Sequence, residues 1–304
     1  MVAGTASEDA SCYEAFYEAS STTTPRTTFP MPPILADKIY NAPSVFTPEG
    51  LIEGARRQKR LPSGNVPPVC VLDPDTDLVQ HLTSTRQATA DPTWACYHTA
   101  LYRMPAEHGD MPCDIGLVGG AVGAPFAVLV AEQLFASGCQ LLISITSAGQ
   151  LVPLRAPPYY ILIDRALRDE GTSYHYEAHS RFSAIAPGVL CGMSGAFAGV
   201  GIPVVTGATW TTDAPFRETA HVIAERRAEG LLAVEMEAAA LYALSRTRGL
   251  PILCFAVVTN QMAQSDNDFD KGAAHGTIDA LAVIKAAACR YFATAVSEAA
   301  ATSE

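Results

Sequence analysis

From Val69 onward, short apolar runs alternate with amphipathic stretches, the pattern that βαβ units impose on a chain. Val69 to Leu72, Ile115 to Val118, Leu141 to Ile145, Tyr159 to Ile163, Val204 to Thr206 and Ile252 to Val258 are bounded by turn formers and are expected strands. Between and after them, apolar positions recur at three- and four-residue spacing over Ala124 to Ser137, Arg217 to Glu229, Ala233 to Arg246 and Gly276 to Ala295, which predicts helices. The expected fold is α/β: a single domain over residues 34 to 304, with a central parallel or mixed sheet flanked by helices. About half of the 304 residues are apolar, ample for a buried core. Residues 1 to 33 differ: a Ser/Thr cluster, Ser20 to Thr24, precedes Pro30, Pro32 and Pro33, with little periodicity. A loose leader is expected there, a candidate arm onto a partner subunit. No internal repeat is present.

Charge and cysteine content narrow the function. A formal net charge of -11 opposes non-specific nucleic-acid binding, which depends on basic patches. Eight cysteines are scattered without a C-x-x-C pair, and Cys70, Cys139 and Cys254 lie in or beside apolar runs. Free thiols in a reducing cytoplasm are expected. No apolar run approaches the roughly 20 residues a bilayer requires, so no membrane partner is expected. Of the seven histidines only His175 and His179 have H-x-x-x-H spacing, without the H-E-x-x-H glutamate, and neither a metal nor a cofactor is expected. Asp266, Asp268 and Asp270 are spaced like a calcium loop, but Lys271 stands where glycine is required, and a solvated loop is the reading. Gly192-Met-Ser-Gly is not a G-x-S-x-G elbow.

The segment Leu231 to Leu244, LLAVEMEAAALYAL, places two carboxylates in an otherwise apolar run. Buried carboxylates demand partners. A structural explanation is a helix N-terminus, whose dipole favours negative charge. The segment also resembles the V-E-M-E-[AS]-A run of the nucleoside phosphorylase superfamily, found in uridine phosphorylases, hexameric purine nucleoside phosphorylases and methylthioadenosine nucleosidases. The resemblance implies that Glu237 accepts hydrogen bonds from ribose hydroxyls, that Met236 packs on the sugar, and that Glu235 supports them. Two further motifs agree in order. Gly119 to Pro125 followed by AVLVAEQL resembles the family's glycine loop and helix, although no dinucleotide fingerprint fits there. Leu141 to Gly149 falls where the family has its G-[TS]-[TSC]-[GA]-[GA] turn, with Thr146 and Ser147 retained. The resemblance spans about residues 69 to 295 and implies a homo-oligomer, a dimer or ring of dimers.

Thr209 to Arg217, TWTTDAPFR, resembles the base-site segment, which assigns Trp210 to stacking on the base, Phe216 to a second apolar wall, and Asp213 and Arg217 to the same site. The alternatives are a core Trp210, an N-capping Asp213 and a solvated Arg217.

Three departures concern phosphate. The family's G-D-P-x-R segment reads Leu72-Asp73-Pro74-Asp75-Thr76-Asp77; Ile143 replaces a second arginine; and Tyr97 or His98 occupies the position of an arginine donated by the neighbouring subunit. Each lost charge-assisted hydrogen bond weakens anion binding by roughly 1.5 to 3 kcal/mol. Arg155, Arg165 and Arg168 are candidates to repair the site from another direction. The resemblance to the nucleosidase branch implies that Asp77 or Asp75 orients water, with Asp73 beside it; a solvated acidic turn is the alternative. Finally, Val258-Thr259-Asn260-Gln261 stands where purine-cleaving members carry an acid. Asn260 only hydrogen-bonds, which favours a base that leaves as a carbonyl-bearing anion, such as uracil or a 6-oxopurine. The expected activity is cleavage of a nucleoside's N-glycosidic bond by water, with phosphorolysis at a rebuilt phosphate site and nucleoside binding without turnover as the alternatives.

Overall fold

The computed structural model describes residues 32–260, 271 and 273–301. The chain divides into two compact units, Met1–Ala36 and Asp37–Glu304. In the first, the described residues form a turn closed by Leu35 N–H to Pro32 O at 2.9 Å. The second holds the sheet and its helices.

Helix α1 (Pro48–Lys59) opens the second unit with proline in its first turn and the Thr47 side chain accepting from Gly50 N–H. Strand β1 (Val69–Asp73) lies at the centre, parallel to β4 (Ile115–Gly119) on one side and to β5 (Leu141–Gln150) on the other. Helix α2 (Asp77–Ser84) follows β1, and α3 (Ala124–Ala136) follows β4. The edge beyond β4 is finished by the short strands β2 (Thr89–Ala90) and β3 (Tyr102–Met104).

On the other side the sheet curls back on itself. Strand β6 (Tyr159–Asp169) carries the short antiparallel β7 (Phe182–Ala184) and pairs in parallel with β8 (Val204–Thr212). After β7, helix α4 (Pro187–Gly192) leads towards β8. Helix α5 (Ala220–Ala228) leads into β9 (Ala233–Glu235), which pairs with β8 and with β5. Helix α6 (Ala238–Arg248) precedes β10 (Ile252–Asn260), which pairs with both β5 and β6, and α7 (Thr277–Ala301) ends the fold. The circuit β5, β10, β6, β8, β9 and back to β5 is therefore closed. Closure hides strand edges that would otherwise need covering.

The expected α/β fold with a mixed sheet is present, and Cys70, Cys139 and Cys254 are buried free thiols. Several boundaries move. Ala233 to Glu235 is strand, not the start of a helix, and α6 begins at Ala238. The helix expected from Arg217 starts at Ala220, where Thr219 caps it by accepting from Val222 N–H. Strands β5, β6 and β8 run well past their expected ends because polar residues at their C-terminal halves, such as Thr209, Thr211 and Gln150, are buried between neighbouring strands. Gln261, Asp266, Asp268 and Asp270 lie outside the described residues.

Tyr242 on α6 ties the helix to the closed circuit. Its fully buried hydroxyl donates to Ile163 O at 2.6 Å and accepts from Cys254 N–H at 3.1 Å, linking β6 and β10. Tyr242→Phe leaves two buried backbone groups unpaired, so urea unfolding is expected to show a loss of about 1 to 3 kcal/mol. An unchanged midpoint and slope would contradict this role.

Candidate functional site

Strands β1, β4, β5 and β10 are mutually parallel, so Asp73, Gly119, Thr146 to Gln150 and Asn260 gather at one edge of the sheet. Open α/β sheets present ligands at such carboxyl ends. Asn260 pairs with Gly149, and Gly149 pairs in turn with Val234, one residue before Glu235. The glutamate segment thereby joins the same edge.

Glu235 is 3% exposed and its oxygens are fully engaged. One accepts from the hydroxyls of Thr209 and Thr211, the other from Glu237 N–H and Ala238 N–H at 2.7 Å each. Thr211 Oγ1 also accepts from Ala239 N–H. Three amides at the start of α6, which have no partners within the helix, are thus satisfied by side chains of β8 and β9. Burial pushes the Glu235 carboxyl above the usual range, opposed by these hydrogen bonds from Thr211, Ala238, Glu237 and Thr209.

Glu237 is 1% exposed but only partly satisfied. Its Oε1 accepts from Gly123 N–H at 2.7 Å, and the Thr146 hydroxyl lies beside the carboxyl and favours its charge. Gly123 has φ +85°, a conformation that favours glycine, and it is the residue from which α3 departs. Among the described residues, Glu237 Oε2 has no hydrogen-bond partner. Burial, and then the charge of Glu235, push this carboxyl up to about 7. The glycine loop, Thr146 and the second glutamate, far apart in the chain, therefore converge on one carboxyl with a vacant acceptor. Met236, between the two acids, is half-buried.

Thr146 and Ser147, neighbours on β5, serve opposite sides of the strand. Ser147 faces away from Glu237: its N–H donates to Asp75 Oδ2 at 3.1 Å and its hydroxyl donates to the same oxygen. Lys271 binds Asp77 at 2.5 Å and Asp75 at 3.3 Å. These residues line a cleft with Asp73, Thr259, His275 and Thr277. Asp73 Oδ2 accepts from Val79 N–H at 2.9 Å, and burial, followed by the charges of Asp75 and Asp77, pushes its carboxyl up to about 6. Lys271 was not anticipated from the sequence, where it only disqualified a calcium loop; being one of four lysines was its one signal.

The base-site candidates disperse. Trp210 is buried in a small core cluster with Leu151, Leu167 and Val234; its Nε1–H donates to Asp169 at 2.9 Å and Arg226 lies over its ring. Asp213 accepts from Gly171 N–H at 2.8 Å, and helix capping there falls to Thr219. Phe216 is almost fully exposed and Arg217 sits beside it in a single 3-10 turn. Glu218, next along, is a residue the sequence did not single out: burial pushes its carboxyl up to about 7. Asn260 is buried at the end of β10, with Nδ2 donating to Thr259 Oγ1 at 3.4 Å. Tyr97 donates to Gln58 at the surface under Lys59, and the His98 ring meets Phe126 of α3 edge-on. Of the three arginines considered for phosphate, Arg168 is spent on Ser173, Glu177, Ala178 and Ser180, Arg165 pairs with Asp164, and Arg155 is exposed.

The Glu237 shift makes stability depend on pH. Its ordinary value of 4.5 holds in the unfolded chain, so unfolding releases a proton between 4.5 and about 7. The stability contributed by the neutral carboxyl is complete below 4.5 and is lost as pH rises through 7, about 3 kcal/mol in all. Glu237→Gln removes this term. Relative to the parent, the variant is expected to gain stability between pH 5 and pH 8 in urea titrations; a parallel dependence in both proteins would exclude the assigned shift.

A family model described as the phosphorylase superfamily matches residues 103–293, more than half of the chain. A curated guanosine phosphorylase from Halorubrum lacusprofundi is 26% identical over 137 residues, which are 45% of this chain and 57% of that protein. The chain thus spans a little over half the length of this relative. Among the described residues no helix is long and apolar enough to cross a membrane. With the glycine loop, the β5 tip and the paired glutamates converging within the matched region, the chain belongs to the phosphorylase superfamily.

Proposed function

We propose that this chain cleaves the N-glycosidic bond of a nucleoside with water as the nucleophile. The observation that carries the reading is the vacant Glu237 Oε2: a buried acceptor whose other oxygen is fixed by Gly123 N–H suits a neutral, hydroxyl-bearing ligand such as ribose. Ribose gains positive charge as the bond breaks, and an ionised Glu237 beside it lowers that barrier electrostatically. Asn260 serves the leaving base by hydrogen bonding. Glu218, on the segment that leaves β8 at the same edge as Glu237 leaves β9, offers an acceptor to ring N–H groups, which with Asn260 favours a 6-oxopurine or uracil nucleoside.

Water is favoured over phosphate by charge. The cleft behind the β5 tip carries three aspartates against one lysine, and that lysine is already paired with Asp75 and Asp77. A phosphate dianion entering there meets net negative charge, with no guanidinium fork among the described residues of the lining. The second reading, phosphorolysis, draws on the name of the Halorubrum relative and on the Lys271 ammonium in the lining of the cleft. Cytoplasmic location, a homo-oligomeric state and a partner-facing role for Tyr97 or His98 belong to the same proposal.

Incubation with guanosine, inosine and uridine, with and without phosphate, separates the readings. Free ribose at a rate independent of phosphate is expected. Ribose 1-phosphate formed only when phosphate is present would replace water by phosphate. Nucleoside-induced thermal stabilisation without product, lost in Glu237→Ala, would indicate a binding protein.

A further inference from the structure

A network of charged side chains at the sheet edge runs from Lys271 through Asp75 to the β5 tip, and the lysine has no assigned part in the cleavage chemistry. We infer that Lys271 is a positioning residue that holds Asp75 in place as the acceptor of Ser147, and so fixes Thr146 against Glu237; the inference rests on the proposed function. The links from Lys271 to Ser147 are direct contacts. Lys271 Nζ bridges Asp75 Oδ2 at 3.3 Å and Asp77 Oδ2 at 2.5 Å. Asp75 Oδ2 accepts both the backbone N–H and the hydroxyl of Ser147. Thr146, one residue before, turns to the opposite side of β5 and meets Glu237.

The physical need for the lysine follows from the charges around it. Asp75 and Asp77 come from the turn after β1 and the first residue of α2, and Asp73 stands behind them at the end of β1. Three carboxylates in one cleft repel one another, and without a cation Asp75 gains by rotating away from Asp73 and Asp77 into solvent. Ser147 then loses its acceptor at the last turn of a strand that has Thr146 on its other face. With Lys271 in place the repulsion is partly offset, and Asp75 is held where Ser147 requires it. Lys271 is partly buried, so its side chain is confined between the two aspartates rather than sampling solvent. A displaced Thr146 reorients the carboxyl that would meet the sugar, which affects the step in which charge develops more than the initial binding.

The test is a double-mutant cycle in the full chain, with Lys271→Met, Lys271→Arg, Asp75→Asn and the double variant Asp75→Asn/Lys271→Met. Two readouts are used: nucleoside cleavage rates, and amide hydrogen exchange over residues 141 to 150. Lys271→Met is expected to lower kcat by about tenfold with KM within about twofold, Lys271→Arg to restore most of it, and the double variant to match Asp75→Asn. Exchange at the β5 tip is expected to rise by about tenfold in Lys271→Met and in Asp75→Asn alike. Unchanged exchange in Lys271→Met, or additive losses in the double variant, would overturn the inference. If the parent protein cleaves no nucleoside, the functional reading fails by itself, and the exchange measurements still decide whether Lys271 acts through Asp75. Should Lys271→Met not fold, Lys271→Arg and Asp75→Asn carry the comparison: an Asp75→Asn tip that exchanges as slowly as the parent's refutes the chain of contacts.

Discussion

Two buried carboxyl groups two residues apart dictate how this molecule is assembled around its sheet edge. An unpaired carboxylate in a protein interior is far costlier than any single packing gain, so Glu235 and Glu237 each require donors that the surrounding elements must supply. Glu235 takes two hydroxyls from β8 and two amides from the start of α6, which forces β8, β9 and the helix into one arrangement. Glu237 takes one amide from the loop before α3. That bond spans the sheet from the closed circuit to the central strands and pins the glycine loop at φ +85°. The two acids are unequal by construction: one is saturated and structural, the other keeps an oxygen in reserve.

This inequality was only half legible in the sequence. The VEMEAAA run announced two acids in an apolar setting, and buried carboxylates at a helix N-terminus are a reasonable inference from dipoles alone. The periodicity nevertheless extended the helix back to Ala233, because small and branched apolar residues at three- and four-residue spacing look the same whether the first turn is helix or a three-residue strand. The strand wins because β9 completes the circuit between β5 and β8, a tertiary constraint that no local window contains. The fold class itself was legible because alternating apolar runs admit few architectures. The ends of β5, β6 and β8 were not, since polar residues such as Thr209 and Thr211 read as a turn until Glu235 is seen to need their hydroxyls.

The same reasoning separates what is near Glu237 from what merely precedes it in sequence. Trp210 follows Thr209 and leads Thr211, whose side chains both face Glu235, so alternation along β8 turns the indole to the other side, into a cluster of apolar residues where Asp169 takes its N–H. An aromatic in a motif carries its chemistry only if the strand phase delivers it to the ligand. Lys271 makes the converse point. It belongs to no motif, lies almost two hundred residues from its aspartate partners, and became visible only when chain folding set it between them.

Strand phase also bears on the nucleophile. Thr146 and Ser147 form one dipeptide in sequence, yet one addresses the Glu237 carboxyl and the other an acidic cleft. An anion bound by both residues at once would have to contact opposite sides of β5, whereas water is small enough to be held on either side alone. With Asp75 already occupying the Ser147 N–H and hydroxyl, a phosphate would also have to displace a carboxylate that Lys271 holds in place. On the proposed hydrolytic reading, the absence of arginine from the described lining of the cleft and the orientation of this dipeptide are independent features that both disfavour phosphate.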